Sequence, residues 1–333
     1  MYLFLSSAAA FLATYLVAPK IISFFKNVGI TGQDIHKKGR PDVAEMGGFV
    51  ALIGFVLGMM VFIASAVFIM DVDVTKALAA TLTITLITMI GMLDDLTSLS
   101  PRKKTTGSFV KKLGFRQRHK FLLPLPAAVP LMAVNAGVSI IYLPLFGEIN
   151  LGVLYPLVIV PIAVFGAANA TNMLAGLNGL SASLGVLLLG SLGVFAYLNG
   201  SFVAAAIALI FATSLLAFLR YNWCPAKIFP GDSLDYTIGA VAASVAIIGN
   251  IERFALVAFF PWFVEFVLKA KKRFHAESFG LLQKNGTLNA PDNEINSLTH
   301  IPMKLFHATE KKVVLSILCF EAIMCAIAFC LYL

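Results

Sequence analysis

Charge is scarce in this sequence. Asp, Glu, Lys and Arg make up 13 % of its 333 residues, and apolar residues reach 59 %. Soluble chains carry roughly 25 % and 45–50 % respectively. Mean hydropathy is +0.89. This excludes a disordered chain, a fibrous repeat and an ordinary cytosolic globule. Alternation of apolar with polar residues is also missing. The apolar segments are apolar all round, which excludes the strands of a membrane barrel and leaves helices. Cysteine is sparse too. Of Cys224, Cys319, Cys325 and Cys330, three fall in the last apolar segment, where they read as small packing residues. They show neither zinc spacing nor a secreted disulfide framework. No G-x-x-x-x-G-K-[ST] loop is present, which argues against an ATP-driven pump, and no G-x-S-x-G elbow is present either. Met1 runs straight into an apolar stretch without a cleavage-site pattern, so a first span rather than a signal peptide is expected.

What the chain has instead is apolar segments of spanning length, about 20 residues each. Ten are expected, near 2–23, 47–69, 76–93, 119–141, 150–168, 180–197, 201–219, 234–250, 253–270 and 312–332. They describe one all-α, polytopic membrane domain over 1–333. The longest uncharged run, Ile149 to Leu219, holds 71 residues. Alternation puts loops 24–46, 94–118, 169–179, 220–233 and 271–311 on one side, and short turns near 70–75, 142–149, 198–200 and 251–252 on the other. Of the 25 Lys and Arg residues, only Lys76 and Arg253 lie at the second side. By the positive-inside rule the first side is cytoplasmic, and both termini lie outside. The outer turns are too short for a receptor or a binding domain. Function is therefore expected at the inner membrane surface.

Polar residues concentrate in the inner loops. Loop one reads Gly32-Gln33-Asp34-Ile35-His36-Lys37, then Pro41 and Glu45-Met46-Gly47-Gly48. By itself it suits a solvated connector as well as a site. The third span ends in Asp94-Asp95. A helix C-terminus disfavours acids, and paired carboxylates repel, so the pair points to a metal or a proton-transfer role. A basic stretch follows, attractive to anionic lipid, with Lys120 the best phosphate-binding candidate. Asn169, Asn172 and Asn178 punctuate the uncharged run, and the first two share a helix face. Interhelical hydrogen bonding is the bland alternative for them. Phe229-Pro230-Gly231-Asp232-Ser233 precedes the eighth span, where Asp232 or Ser233 would make a good N-cap and Gly231 would let backbone N–H groups meet a phosphate. Lys271 to Glu277 reads as a basic stop or as a cationic clamp for a diphosphate. Glu265 stays open as a partner for a basic residue or a metal. Carboxylates and amide oxygens suit Mg²⁺, which binds one or two protein ligands plus waters and substrate phosphates. A phosphorylated soluble donor meeting a lipid acceptor follows from this.

Gly32–Lys37 with Pro41 and Glu45–Gly48, Gly91–Asp95, Arg118-His119-Lys120, Asn169–Gly179 and Phe229–Asp232 occur in this order on one side. In that order they resemble the polyprenyl-phosphate N-acetylhexosamine-1-phosphate transferase superfamily over nearly the whole chain. The chain is most similar to its archaeal and eukaryotic branch, since Ala175 and Asn178 stand where bacterial relatives often have acids. The resemblance implies transfer of GlcNAc-1-phosphate from UDP-GlcNAc to dolichyl or another polyprenyl phosphate, the first step of lipid-linked oligosaccharide assembly for N-glycosylation. It implies Asn172 and Asp232 as ligands of Mg²⁺, with Mn²⁺ as a substitute, Asn178 for uracil and Lys120 for phosphate. Asp94 and Asp95 would handle the acceptor phosphate or the proton. Lys37 and Glu45 would lie near the nucleotide and lipid phosphate, with Asn169 also on the substrate side. Arg273 and His275 would stand in for the arginine contacts that eukaryotic members make to the sugar diphosphate. The membrane would be the plasma membrane of a prokaryote or the ER of a eukaryote. No nucleic-acid partner is expected, and a homodimer is left open. The alternatives are a bacterial-type enzyme using undecaprenyl phosphate and, from another class, a secondary transporter. A transporter would show ionisable groups near the midplane and an internal repeat; nearly all charge here sits at one face, with Glu265 and Glu321 the thin exceptions, and no convincing repeat is evident.

Overall fold

Apolar runs long enough to satisfy their backbone only within themselves must coil into helices, and they do. The structure is a computed structural model that describes residues 1–99, 122–143, 147–291 and 294–333. Helix α1 spans Tyr2–Asn27, α2 Gly47–Ser65 with a π-helical extension to Met70, and α3 Thr75–Leu99. Short helix α4 is Val129–Ala133, and α5 is Val160–Met173 with a π-helical turn before it. Then come α6 Leu180–Leu198, α7 Phe202–Asn222 and α8 Gly231–Gly249. The chain closes with α9 Glu252–Ala258, α10 Phe260–Lys271, α11 His300–Phe306 and α12 Glu310–Tyr332. Three small antiparallel hairpins add β1 (Thr31–Gln33) to β2 (Asp42–Ala44), β3 (Ile140–Leu143) to β4 (Gly147–Asn150), and β5 (Leu281–Leu282) to β6 (Leu288–Asn289).

Seven helices among the described residues are long and apolar enough to cross a membrane: α1, α2, α3, α5, α6, α7 and α12. The fold is mostly helical and consistent with a polytopic membrane protein. Three of the ten expected segments look different, each for a physical reason. The segment expected at 253–270 is broken at Phe259, with Pro261 in the first turn of α10, where a residue without an N–H does least harm. Within 119–141 the described part holds a 3₁₀ turn, Leu125–Ala128, then α4 and the start of β3, in a stretch studded with Pro124, Pro126 and Pro130. Helix α8 has the expected length, but every residue from Ser233 to Gly249 is buried by other helices.

Helix α8 is the axle of the molecule, packed by α2, α3, α5, α6 and α7. In lipid, helices gain little from hydrophobicity against one another, so close approach and hydrogen bonds hold them. A Cβ on Gly91 of α3 would strike the Ser233 backbone of α8. One turn of α3 away, the Thr88 and Thr237 hydroxyls hydrogen-bond at 2.7 Å. Thr14 and Ser214 do the same between α1 and α7 at 2.8 Å, and Ser214 also donates to the Ala51 carbonyl of α2 at 2.7 Å. Each such bond contributes about 0.6–2 kcal/mol. The Gly91 approach and the Thr88–Thr237 bond set the N-terminus of α8 beside the C-terminal end of α3, where the polar residues gather.

Candidate active site

The strap before α8 is fastened to loop one by backbone hydrogen bonds. Phe229 N–H donates to the Ala44 carbonyl at 2.7 Å, Gly47 N–H to Phe229 at 2.9 Å, and Gly48 N–H to Pro230 at 3.1 Å. Gly231 then turns into α8 with φ +71°, and a Cβ there would collide with the Asp95 carboxylate. Asp95 accepts the Asp232 N–H at 2.7 Å on one oxygen and the Ser233 N–H at 3.2 Å on the other. The N-cap of α8 therefore comes from α3, not from Asp232 or Ser233. This also answers why an acid is tolerated at the C-terminal end of α3: it faces the positive N-terminal end of α8. Asp94 turns the other way and is fully buried, with the Tyr236 hydroxyl 3.4 Å from one oxygen.

These pieces wall a cavity of about 920 Å³. Glu45, Asp95, Asn172, Asn178 and Asp232, all singled out from the sequence, line it. Asn172 reaches it from the last turn of α5, whose neighbour Thr171 donates to the Asp235 carbonyl at 2.6 Å and so locks α5 to α8. The other expected residues lie elsewhere. Asn169 is buried one turn back and donates to the Phe165 carbonyl at 2.9 Å. Arg273 and His275 are exposed beyond the end of α10, although the next residues, Ala276 to Phe279, line the cavity. Lys120 lies outside the described residues, as do Arg118 and His119.

Behind Asn178 sits a network that sequence reading missed. The Asn178 N–H donates to Glu310 at 2.8 Å, and its side-chain amide donates to Asp34 at 2.7 Å. Lys37 pairs with Glu310 and lies 3.7 Å from Asp34, so it serves this network rather than lining the cavity. His36 lies 3.6 Å from Glu310 and reaches the Gly280 backbone. Burial works against the Lys37 charge, but the bond to Glu310 and the nearby acids more than offset it and raise its pKa. Cys224 donates its thiol to Glu310 at 3.3 Å. Burial pushes that thiol up, and Glu310 adds to the shift. With the other three cysteines replaced by alanine, alkylation at neutral pH should be slower than for a free thiol, and Glu310→Gln should speed it. Alkylation at the free-thiol rate in the parent would remove the Glu310 contact.

Asp235, three residues after Asp232 on the same face of α8, also lines the cavity. It is 4 % exposed, and its Oδ1 has no hydrogen-bond partner among the described residues. The i,i+3 spacing to Asp232 was the available signal. An orphaned carboxylate oxygen beside Asn172 and Asp232 makes a hard, all-oxygen donor set, the kind that suits Mg²⁺. Among the described residues no three His, Cys, Asp or Glu side chains converge. A divalent cation here would need substrate oxygens and water, as Mg²⁺ sites commonly do.

Comparison with known proteins agrees with this arrangement. Residues 77–250 match the model of glycosyl transferase family 4. A putative UDP-N-acetylglucosamine–dolichyl-phosphate N-acetylglucosaminephosphotransferase of Sulfolobus acidocaldarius is 34 % identical over 326 residues, 97 % of this chain and 94 % of the relative. The Saccharomyces cerevisiae protein of that name is 28 % identical over 80 % of this chain and 66 % of its own. A phospho-N-acetylmuramoyl-pentapeptide-transferase of Clostridium perfringens is 30 % identical over 72 % of each. The helical fold, the polar cavity at the helix ends and these matches define a glycosyl-phosphate transferase of the multi-helix type. The chain belongs to glycosyl transferase family 4.

Proposed function

We propose that the protein transfers GlcNAc-1-phosphate from UDP-GlcNAc to dolichyl or another polyprenyl phosphate at the cytoplasmic membrane face, releasing UMP. The observation that carries this is the single cavity that gathers Glu45, Asp95, Asn172, Asn178 and Asp232 from four separate segments. All five come from loops that the charge asymmetry assigns to the cytoplasm. Near full-length similarity to the Sulfolobus protein supports the same chemistry. Ten crossings, with α8 enclosed and α9–α10 as a broken span, keep all these loops on one side.

In the reaction an oxygen of the lipid phosphate attacks the β-phosphorus of UDP-GlcNAc. The bond to UMP breaks, UMP leaves with the electron pair, and a GlcNAc-diphosphate lipid remains. The acceptor phosphate has a second pKa of about 6, so no strong base is required. Catalysis then lies in alignment and charge neutralisation. Asp95, with both oxygens on the α8 backbone, acts as the brace that sets Asp232 in the wall. Asp34 can only accept, which ties down the Asn178 amide nitrogen and leaves its carbonyl oxygen to accept an imide N–H such as that of uracil. Asn172 and Asp232, with Asp235 beside them, would hold Mg²⁺ or Mn²⁺. The ion supplies positive charge to the diphosphate when bound. Lys120 is the proposed phosphate-binding cation from the second inner loop.

Purified protein given UDP-GlcNAc, dolichyl phosphate and Mg²⁺ should release UMP in a lipid- and chelator-sensitive way. The acceptor panel should include undecaprenyl phosphate, because the Clostridium relative raises a bacterial-type acceptor as the second reading. No UMP from any UDP-sugar and polyprenyl phosphate would overturn the proposal.

A further inference from the structure

The cavity wall is markedly acidic. Among the described residues, Asp and Glu side chains on it outnumber Lys and Arg by seven to two. A nucleoside diphosphate brings further negative charge, so a cationic side chain on the wall favours its binding beside any metal ion. The two lining cations are Arg40, exposed on loop one, and Lys269, 9 % exposed in α10. Lys269 is the anchored one. Its ammonium donates to the Met173 carbonyl, the residue next to Asn172, and lies 3.5 Å from Glu265. Glu265 does not depend on the lysine for its hydrogen bonds. It accepts from Ser278 at 3.2 Å, from Ser297 at 3.1 Å and from the Leu298 N–H at 2.7 Å. An ammonium carries three donors. Met173 and Glu265 account for two, which leaves capacity for an acceptor in the cavity that Lys269 lines.

We infer that Lys269 binds a phosphate of the nucleotide-sugar donor, at the Asn172 end of the cavity, with the Met173 carbonyl holding it in position and the Glu265 carboxylate competing for its charge. This assignment rests on the transferase reading and adds to it a cation on the ninth span's inner half. The segment Lys271–Glu277 was the expected clamp, yet its Arg273 and His275 stay outside the cavity. The basic residue that enters the wall comes from within the helix.

The test is calorimetric binding of UDP and of uridine to the full-length protein at fixed Mg²⁺. Lys269→Gln should weaken UDP binding by about 30-fold or more, the usual scale for truncating one partner of a buried charged pair. Uridine binding should stay within about 2-fold, because no phosphate is involved. Glu265→Gln removes the competing negative charge and should tighten UDP binding while leaving uridine unchanged. UDP affinity unaltered in Lys269→Gln would overturn the assignment. So would equal losses of UDP and uridine, which a merely structural tie predicts. If Lys269→Gln does not fold, unchanged or weaker UDP binding in a folded Glu265→Gln protein overturns it. Wild-type protein that binds neither ligand overturns the transferase reading itself, and this assignment with it.

Discussion

Asp232→Ala should yield a folded protein whose UMP release is slower by about 10³-fold, the upper range for removing one preorganised electrostatic group. The fold should survive because the cap at the head of α8 uses the backbone N–H groups of Asp232 and Ser233, which alanine retains. The Asp232 side chain is instead on the cavity wall, with Asn172 and Asp235 nearby. Its loss removes a carboxylate from the oxygen set proposed to hold Mg²⁺, so Mn²⁺ affinity followed by electron paramagnetic resonance should fall as well. Activity within about tenfold of the parent, at saturating metal, would take Asp232 out of the centre.

The second large effect is on stability. Glu310→Gln should lower the unfolding free energy by about 3 kcal/mol, the lower end of the cost of breaking a buried pair by removing one partner. Glu310 receives the Asn178 N–H on one oxygen and takes Lys37 and the Cys224 thiol on the other, so glutamine can keep only one of these acceptor positions and offers Lys37 no charge. The effect should show as a lower melting temperature in detergent. Lys37 gives the pH dependence. Its pKa is raised in the folded protein, so the stabilisation is complete below the ordinary lysine value and declines only as pH climbs through the raised one. The difference between parent and variant should thus be flat from about pH 6 to about pH 9. A difference that vanishes within that window would show that the Lys37–Glu310 pair is not its source.

Much of the architecture was legible from hydropathy, because a membrane leaves the backbone few choices. The segments that depart from simple long helices cluster where proline or burial intervenes. Pro261 divides a segment whose average hydropathy still suits a span, and a sliding average does not register one missing N–H. Helix α8 was read by its length, but nothing local says that five other helices will enclose it. At the site, Asp232, Asn172 and Asn178 stood out as polar groups beside long apolar runs. Asp34 stood inside a quoted motif without being singled out, and Asp235 needed only the i,i+3 rule. Glu310 was invisible, since an acid in the first turn of a helix is ordinary and its partners are remote in sequence. The Asp94-Asp95 pair was noticed for a sound reason, the unfavourable end of α3. For Asp95 the structure shows one compensation, the positive N-terminal end of another helix facing its carboxylate.

The tie between Lys37 and Glu310 joins residues 273 apart in the chain. Its consequence concerns biosynthesis. Loop one emerges early, yet the acid that holds it in place arrives only with the last helix. At ribosomal rates the gap is on the order of tens of seconds. During that interval Asn178 has neither its backbone acceptor on Glu310 nor a settled Asp34. A nascent or truncated chain would therefore sit in the membrane with this cavity unassembled until Glu310 and its helix have been made.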